Sequence, residues 1–329
     1  MGVPLTMQAA FIRSLGGPEL IEVGELPVPA PGPTDVLVKV TASVVNHVDT
    51  FVRSGAYPTR TPFPFVIGRD LVGTVADAGP GVDSVRIGEQ VWCNSLGHGG
   101  RQGSFAEYAV VPRERLYRLP VGVDPMDAAA VLHSAATAHV GLFRRVRLEP
   151  GNTVLVGGAA GAVGTALVQL ATAAGAHVIA TAAPRDAGWV RECGAETVLD
   201  YSDRDLVQRI HDLAPQGVDI WWDTSGHHDF VSCLPLVASG GAVVVMAGMR
   251  AQPVLPVGAL YPRDLRVHGF AISNATAQDL TSAAHMINGL LASGALKARV
   301  GAVFPLSHSA RAHAMVEEGS AHGKVLIRV

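Results

Sequence analysis

The chain is poor in cysteine, in charge and in aromatic residues, and each shortage excludes something. Its 329 residues include only three cysteines, Cys93, Cys193 and Cys233, with no C-x-x-C pair. Three cannot build a disulfide framework or a four-cysteine zinc site, and they fit a reducing cytoplasm. Charged residues make up 16% and the net charge is −3, which leaves no basic footprint for nucleic acid or an anionic membrane. The start, MGVPLTMQAAF, lacks a basic segment followed by an apolar run, so no signal peptide is expected. From Asn152 to Pro184 there is no Asp, Glu, Lys or Arg. By length alone such a stretch reaches across a bilayer. Its glycines cluster at one point, however, and it divides at Gly175, so it reads as a buried strand, turn, helix and second strand. There is no G-x-S-x-G elbow, so hydrolase chemistry has no nucleophile of that kind.

What is present is core material: 48% of residues are hydrophobic, too many for a disordered chain. The N-terminal third alternates short apolar runs with turn residues. MQAAFI, LIEVGEL, DVLVKVTAS, LVGTVADAG, EQVWCNS and FAEYAVVP read as strands joined by irregular loops. At Asp124 the grammar changes. DPMDAAAVLHSAATAHVGLFRRV reads as a helix capped by Asp124 with Pro125 in its first turn. Strand and helix then alternate: NTVLVGG, AVGTALVQLATAAG, AHVIATAA, RDAGWVRECG, ETVLDY, DRDLVQRIHDLAP and GVDIWWDTSG. HDFVSCLPLVASGG is expected as one more helix, and AVVVMAG as a strand. A helix over ATAQDLTSAAHMINGLLASG and a final strand KVLIRV follow. Repeated βα units predict a doubly wound parallel sheet, so the fold class is α/β.

The charge-free stretch holds the first functional signal. A strand ends at Val156 and a helix begins near Ala162. Between them stand Gly157, Gly158, Ala159, Ala160 and Gly161, with Val163 and Gly164 just inside the helix. Glycines let backbone turn sharply and approach a ligand, and the open N–H groups of a helix start bind a pyrophosphate. The usual fingerprint is G-x-G-x-x-G; here Ala159 stands at the first glycine. An acidic residue at the tip of the second strand would grip the ribose of NAD. The tip, Thr181 to Arg185, has none. Arg185 is placed for a 2′-phosphate, with Tyr201 near it after the third strand, so the expected cofactor is NADPH.

With these residues in hand, the whole chain resembles the zinc-free quinone oxidoreductases of the medium-chain dehydrogenase/reductase superfamily, the zeta-crystallin-like group. NHVDTFVRSGAY (Asn46 to Tyr57) looks like the family's N-x-x-D-x-x-x-R-x-G-x-Y segment, and PFVIGRDLVGTV like its G-x-D/E-x-x-G loop. GSFAEYAVVP, AATAHVGL, GGAAGAVG and GKVLI fall where expected. The resemblance implies a GroES-like, mostly-β catalytic domain from both chain ends (1–127 and 270–329), around a Rossmann domain (128–269). It implies a homodimer or homotetramer; a dimer is the expected assembly, with the sheet-edge strand RVHGFAIS as its contact.

The resemblance also assigns roles. Zinc-dependent relatives carry a Cys near Ser43 and Val44, and a GHE motif where this chain has Gly68, Arg69 and Asp70. Both metal ligands are replaced, so no catalytic metal is expected. The acceptor is then a quinone or an α,β-unsaturated carbonyl, which needs little Lewis-acid help, and the cofactor carries the hydride. Asn46 and Tyr57 are the expected catalytic residues, with Asn46 near the nicotinamide ribose or the substrate and Tyr57 bonding the acceptor oxygen or supplying a proton. Asp49 orders the loop. Thr137 is expected on the nicotinamide side. Ala247, Gly248, Met249, Phe270 and Ile272 are expected to border the nicotinamide at strand ends, and Lys324 is counted with the cofactor residues. His139 stands where many relatives have tyrosine and is expected to line the pocket as a group titrating near neutral pH, with Phe270 beside it. Two other readings stay open: an enoyl or alkenal reductase of a biosynthetic pathway, and a non-catalytic, crystallin-like NADPH-binding protein.

Overall fold

The computed structural model describes residues 2–329. It divides into two units. One takes the chain up to His133 and resumes at Leu280; the other is Ser134–Asp279. Both divisions fall inside helices, a little beyond the boundaries near 127 and 270 that the resemblance implies.

The first unit opens with β1 (Thr6–Ile12), β2 (Glu22–Pro27), β3 (Asp35–Val45), helix α1 (His47–Ser54), β4 (Phe65–Val66), β5 (Asp70–Ala78), β6 (Gln90–Cys93), β7 (Tyr108–Pro112) and β8 (Tyr117–Arg118). The strands expected from alternation are present. Helix α1 was not expected; the segment had read as loop. It buries Val52 in the core beside Leu306, Ala312 and Val316, and Gly55, at φ +81°, ends it, a conformation glycine adopts without strain. Helix α2 (Pro125–His139) begins as predicted: Asp124 Oδ1 accepts the N–H groups of Met126 at 2.8 Å and Asp127 at 3.2 Å. It continues as a π-helical segment over Val140–Arg145.

The second unit carries β9 (Thr153–Gly157), α3 (Ala162–Ala173), β10 (His177–Ala182), α4 (Ala187–Glu192), β11 (Thr197–Asp200), α5 (Leu206–Leu213), β12 (Val218–Asp223), α6 (Phe230–Cys233), β13 (Val237–Val245) and β14 (Arg266–Gly269). Its six strands lie in the order β11-β10-β9-β12-β13-β14, every pair parallel. The order reverses between β9 and β12, and ligands bind outside the strand ends at such a point. The helix expected over HDFVSCLPLVASGG is corrected. Only Phe230–Cys233 is α-helical, a tight turn follows over Leu234–Leu236, and β13 starts at Val237. Pro235 has no N–H to extend a helix, and Val237 pairs with Val218 of β12.

The chain then returns through α7 (Ala277–Ala292), β15 (Val300–Pro305), α8 (Ser309–Glu317) and β16 (Lys324–Arg328). In the first unit these strands complete a seven-stranded sheet, β15-β16-β3-β5-β6-β8 with β7 also on β3, beside a three-stranded one, β2-β1-β4. This GroES-like sheet unit and the Rossmann unit make up the expected α/β architecture. Among the described residues no helix is long and apolar enough to cross a membrane.

Candidate functional site

The glycine turn after β9 is shaped by what surrounds each residue. Gly158 has φ +69°, and a Cβ there would lie 2.7 Å from Thr224 Oγ1. Ala159, at the fingerprint's first glycine, is fully buried, and its N–H donates to Thr181 O at 3.0 Å. Its methyl is therefore accommodated on the protein side of the turn. Gly161 caps α3 without any side-chain hydrogen bond. A Cβ at Gly164 would fall 2.3 Å from Gly158 O, so only glycine lets helix and turn close together. The first turn, through Ala160, Ala162 and Val163, presents its N–H groups as an anion site. Thr224, which sequence reasoning missed, ties the turn to the next strand: its N–H and Oγ1 donate to Gly157 O at 3.1 Å and 2.8 Å. The small polar DTSG run at the end of β12 was the available signal.

A cavity of about 780 Å³ opens beside this turn, lined by Gly158, Thr181, Tyr201, Arg204 and Ser225 among others. Thr181 sits at the end of β10, and no carboxylate stands on that strand tip. The Arg185 side chain is 76% exposed and 3.7 Å from Asp186; Tyr201 is 61% exposed. Both are free to meet a ligand. The residues present fit a dinucleotide: an uncapped helix start, a cradle that a Cβ would fill and a neighbouring cavity.

At the other strand ends, Ala247 and Gly248 both take φ +63°, a rare conformation for alanine. They turn β13 away sharply, leaving Met249 exposed. Phe270 meets Trp222 edge-on at 5.8 Å, with Ile272 two residues on. A Cβ at Gly141 would lie 1.9 Å from the Trp222 ring. The π-helical turn therefore packs directly on β12 and fixes the buried Thr137 and His139 above it, and such turns concentrate at functional sites. One expectation for His139 is corrected. Burial first, then the Arg144 charge, push its pKa down to about 4, so it is a neutral imidazole against Phe143, 4.9 Å away, and does not titrate near pH 7.

In the first unit, register gathers a second group. Antiparallel pairing sets Val44 opposite Asp70 and Val45 opposite Val325. The end of β3 therefore lies beside the starts of β5 and β16, and Asn46, Asp70 and Lys324 converge. Lys324 Nζ donates to Asn46 Oδ1 at 2.7 Å, and Asn46 Nδ2 donates to Asp70 Oδ2 at 3.1 Å. The other Asp70 oxygen lies 3.6 Å from His133 Nδ1. Asp49 accepts the Asn46 N–H at 2.7 Å and so fixes the start of α1. Lys324 is only 7% exposed, and burial lowers its pKa against the pull of Asp70 and Asp49. Burial, aided by the Asp70 charge and opposed by Arg69, pushes Asp49 up to about 7.

Tyr57 is half-buried on the core, its ring 5.9 Å from that of His98. Ser43, near the position of a zinc-ligating cysteine in relatives, donates to Asp70 O and shares a hydrogen bond with Ser104 Oγ at 3.0 Å. Arg69, in place of the histidine, is buried. The sequence had marked Arg69 as a replacement but given it no role, and had given none to Asp70 or His133.

Comparison with known proteins agrees with this fold. Residues 32–121 match the alcohol dehydrogenase GroES-like domain, and residues 162–288 match the zinc-binding dehydrogenase model. The quinone oxidoreductase of Rattus norvegicus is 30% identical, over 98% of this chain and 97% of its own. A mycobacterial protein solved in complex with NADPH is 30% identical, with a TM-score of 0.85 over 98% of this chain and 100% of that one. An NAD-dependent alcohol dehydrogenase of known structure is 32% identical, with a TM-score of 0.88 over 98% and 100%. A full-length likeness of this kind, on the GroES-like and Rossmann units just described, means that the chain is an oxidoreductase and belongs to the quinone oxidoreductases of the medium-chain dehydrogenase/reductase superfamily.

Proposed function

We propose that the protein is an NADPH-dependent, zinc-independent reductase of quinones or α,β-unsaturated carbonyls. The observation that carries this reading is a pair of replacements. The strand tip that would hold an NAD-selecting acid offers Arg185 instead, and the positions of two zinc ligands are filled by Ser43 and Arg69. Bound NADPH would supply the hydride.

The chain's own residues do the rest. Gly158, Ala160, Ala162 and Val163 hold the pyrophosphate with main-chain N–H groups, and Gly161, whose own N–H turns back to Gly158 O, leaves the space for it. Arg185 and Tyr201 meet the 2′-phosphate, and Thr181 closes the adenosine side. Thr137, Ala247, Gly248, Met249, Phe270 and Ile272 shape the nicotinamide side, where neutral His139 adds an aromatic wall. Asn46, held by Lys324 and Asp70, keeps a fixed amide for the nicotinamide ribose or the acceptor, and Tyr57 offers its hydroxyl to the acceptor oxygen. The likeness to the NADPH complex supports the cofactor. The likeness to the NAD-dependent enzyme makes NADH the necessary control.

The proposal extends to a cytoplasmic homodimer paired through β14. That strand lies at the sheet edge, and Val254, Val257 and Tyr261 are exposed in the segment before it; a monomeric mass by light scattering sinks the dimer. For the reaction, NADPH oxidation at 340 nm is followed with metal-stripped protein against 1,4-benzoquinone, 9,10-phenanthrenequinone, an enone and a 2-alkenal, with NADH alongside. Turnover with NADPH well above NADH is the expected result, and the best acceptor separates quinone from alkene reduction. Loss of activity on metal removal, or equal use of NADH, overturns the corresponding half. Tight NADPH binding without turnover favours the non-catalytic reading.

A further inference from the structure

We infer that Arg69 is the electrophile of the site: its guanidinium receives the oxyanion that forms on a quinone or enone carbonyl as hydride arrives. The inference rests on the reductase reading above and adds, beside the Tyr57 hydroxyl, the charged group that acts on the acceptor oxygen.

Arg69 is 1% exposed. Its Nε and Nη2 are sealed from solvent and have no hydrogen-bond partner among the described residues. Asp49 and Asp70 act on it through charge, yet neither forms an ion pair with it. A buried guanidinium without an acceptor is costly. The backbone is not the reason for its position. Gly68 before it has φ +95° and no room for a side chain against Phe105 and Ser104, and Leu96 N–H donates to Arg69 O at 3.1 Å. The main chain is pinned while the side chain is left without an acceptor.

Its surroundings favour an anion. Tyr57 and His98 lie within reach of its charge. His98 is neutral, pushed down to about 4 by burial and by Arg69, Arg101 and Arg115. Arg101 already donates twice to Ser95 O, at 3.2 Å and 3.1 Å, and Arg115 leans on Glu114 at 4.0 Å; Arg69 alone of the three has no such partner. Asp49, with a pKa near 7, is only partly ionised at neutral pH, so it offsets the Arg69 charge incompletely.

The step balances. Bound NADPH would supply the hydride to a quinone ring carbon or an enone β-carbon and leave as NADP+. The acceptor's π electrons move onto its oxygen, and that oxyanion accepts N–H donation from Arg69. The completing proton comes from water, and Arg69 keeps its own proton throughout.

The first test uses 4-nitrophenol, whose phenolate is an aryl oxyanion with its own absorption band, and needs no cofactor or turnover. Bound to wild type, the phenol is expected to ionise about one to three pH units lower than free, as beside an opposite charge; bound to Arg69→Met it is not. In turnover, Arg69→Ala is expected to lose about 100-fold or more in kcat with NADPH affinity unchanged. Millimolar guanidinium ion should restore activity, and urea should not. Arg69→Met breaks no hydrogen bond but removes the charge that Asp49 and Asp70 feel, so its melting temperature is read beside the phenol shift as a check that the variant is folded. Equal phenol ionisation in wild type and a folded Arg69→Met overturns the inference, as does absent rescue of a folded Arg69→Ala by guanidinium ion. Wild type that shifts the phenol but reduces no acceptor leaves the anion site standing and removes only the reductase reading.

Discussion

The glycine turn of the Rossmann unit and the polar cluster of the GroES-like unit both face the task of holding charged or charge-developing groups, and they are built in opposite ways. The turn uses main chain alone. Its residues run from Gly157 to Gly164 without a charge, and its working groups are N–H donors at the start of α3. The cluster uses side chains drawn from Asn46, Asp49, Arg69, Asp70, His133 and Lys324; strand register sets β3, β5 and β16 side by side, and His133 comes from α2. A backbone site is fixed once its local path is fixed. A side-chain site holds only while every partner is present, because each buried charge depends on the others.

Four measurements break or sharpen that contrast. The largest effect is expected in the cluster. Asp49 has a folded pKa near 7 against an ordinary 3.8. Below pH 4 folded and unfolded chains both hold the proton. Between pH 4 and 7 the unfolded chain ionises first and stability falls; above pH 7 the deficit is constant. Three units amount to about 4 kcal/mol as an upper figure. Melts of wild type and Asp49→Asn from pH 4 to 8 should show the variant gaining on wild type through that window, and a gap independent of pH defeats the claim.

Next comes the backbone site. Gly164→Val drives a side chain into Gly158 O, 2.3 Å from the Cβ position, and is expected to cost about 3 kcal/mol together with most NADPH affinity. Unchanged binding by fluorescence titration means that the turn is more yielding than described. Lys324→Met then tests the cluster by a single bond. Losing the 2.7 Å donation to Asn46 should cost about 2 kcal/mol, as for a charge-assisted hydrogen bond, in urea denaturation. A variant as stable as wild type places the strength of the cluster elsewhere. The smallest effect is at the rim: Arg185→Ala should raise the NADPH KM about tenfold, roughly 1.4 kcal/mol, and leave the NADH KM alone. Equal loss for both cofactors removes Arg185 from the 2′-phosphate.

Much of the Rossmann unit was legible because its signals are local. Five of its strands and the helix start at Ala162 follow from apolar runs and glycine punctuation. Where the reading failed, a long-range demand had won. The stretch from His228 was expected to stay helical, but Pro235 breaks it and Val237 is drawn onto β12. In the other unit, α1 was hidden because its apolar face is narrow and its support comes from α8 and β16 residues more than 250 positions away. Arg69 was visible as a substitution, but its lack of a partner was not, since a missing contact has no signature in sequence.

By itself, the sequence determined the family, the alternation of βα units, the phosphate-binding turn and the absence of an acid on the β10 tip. All of these rest on neighbours in the chain, where periodicity and glycine geometry act directly. The tertiary structure decided which distant residues meet. It placed Lys324 on Asn46 and Asn46 on Asp70, buried Asp49 enough to raise its pKa, made His139 neutral and left Arg69 without an acceptor. Those outcomes depend on strand register and on how far each group is removed from water, and both are properties of the packed molecule.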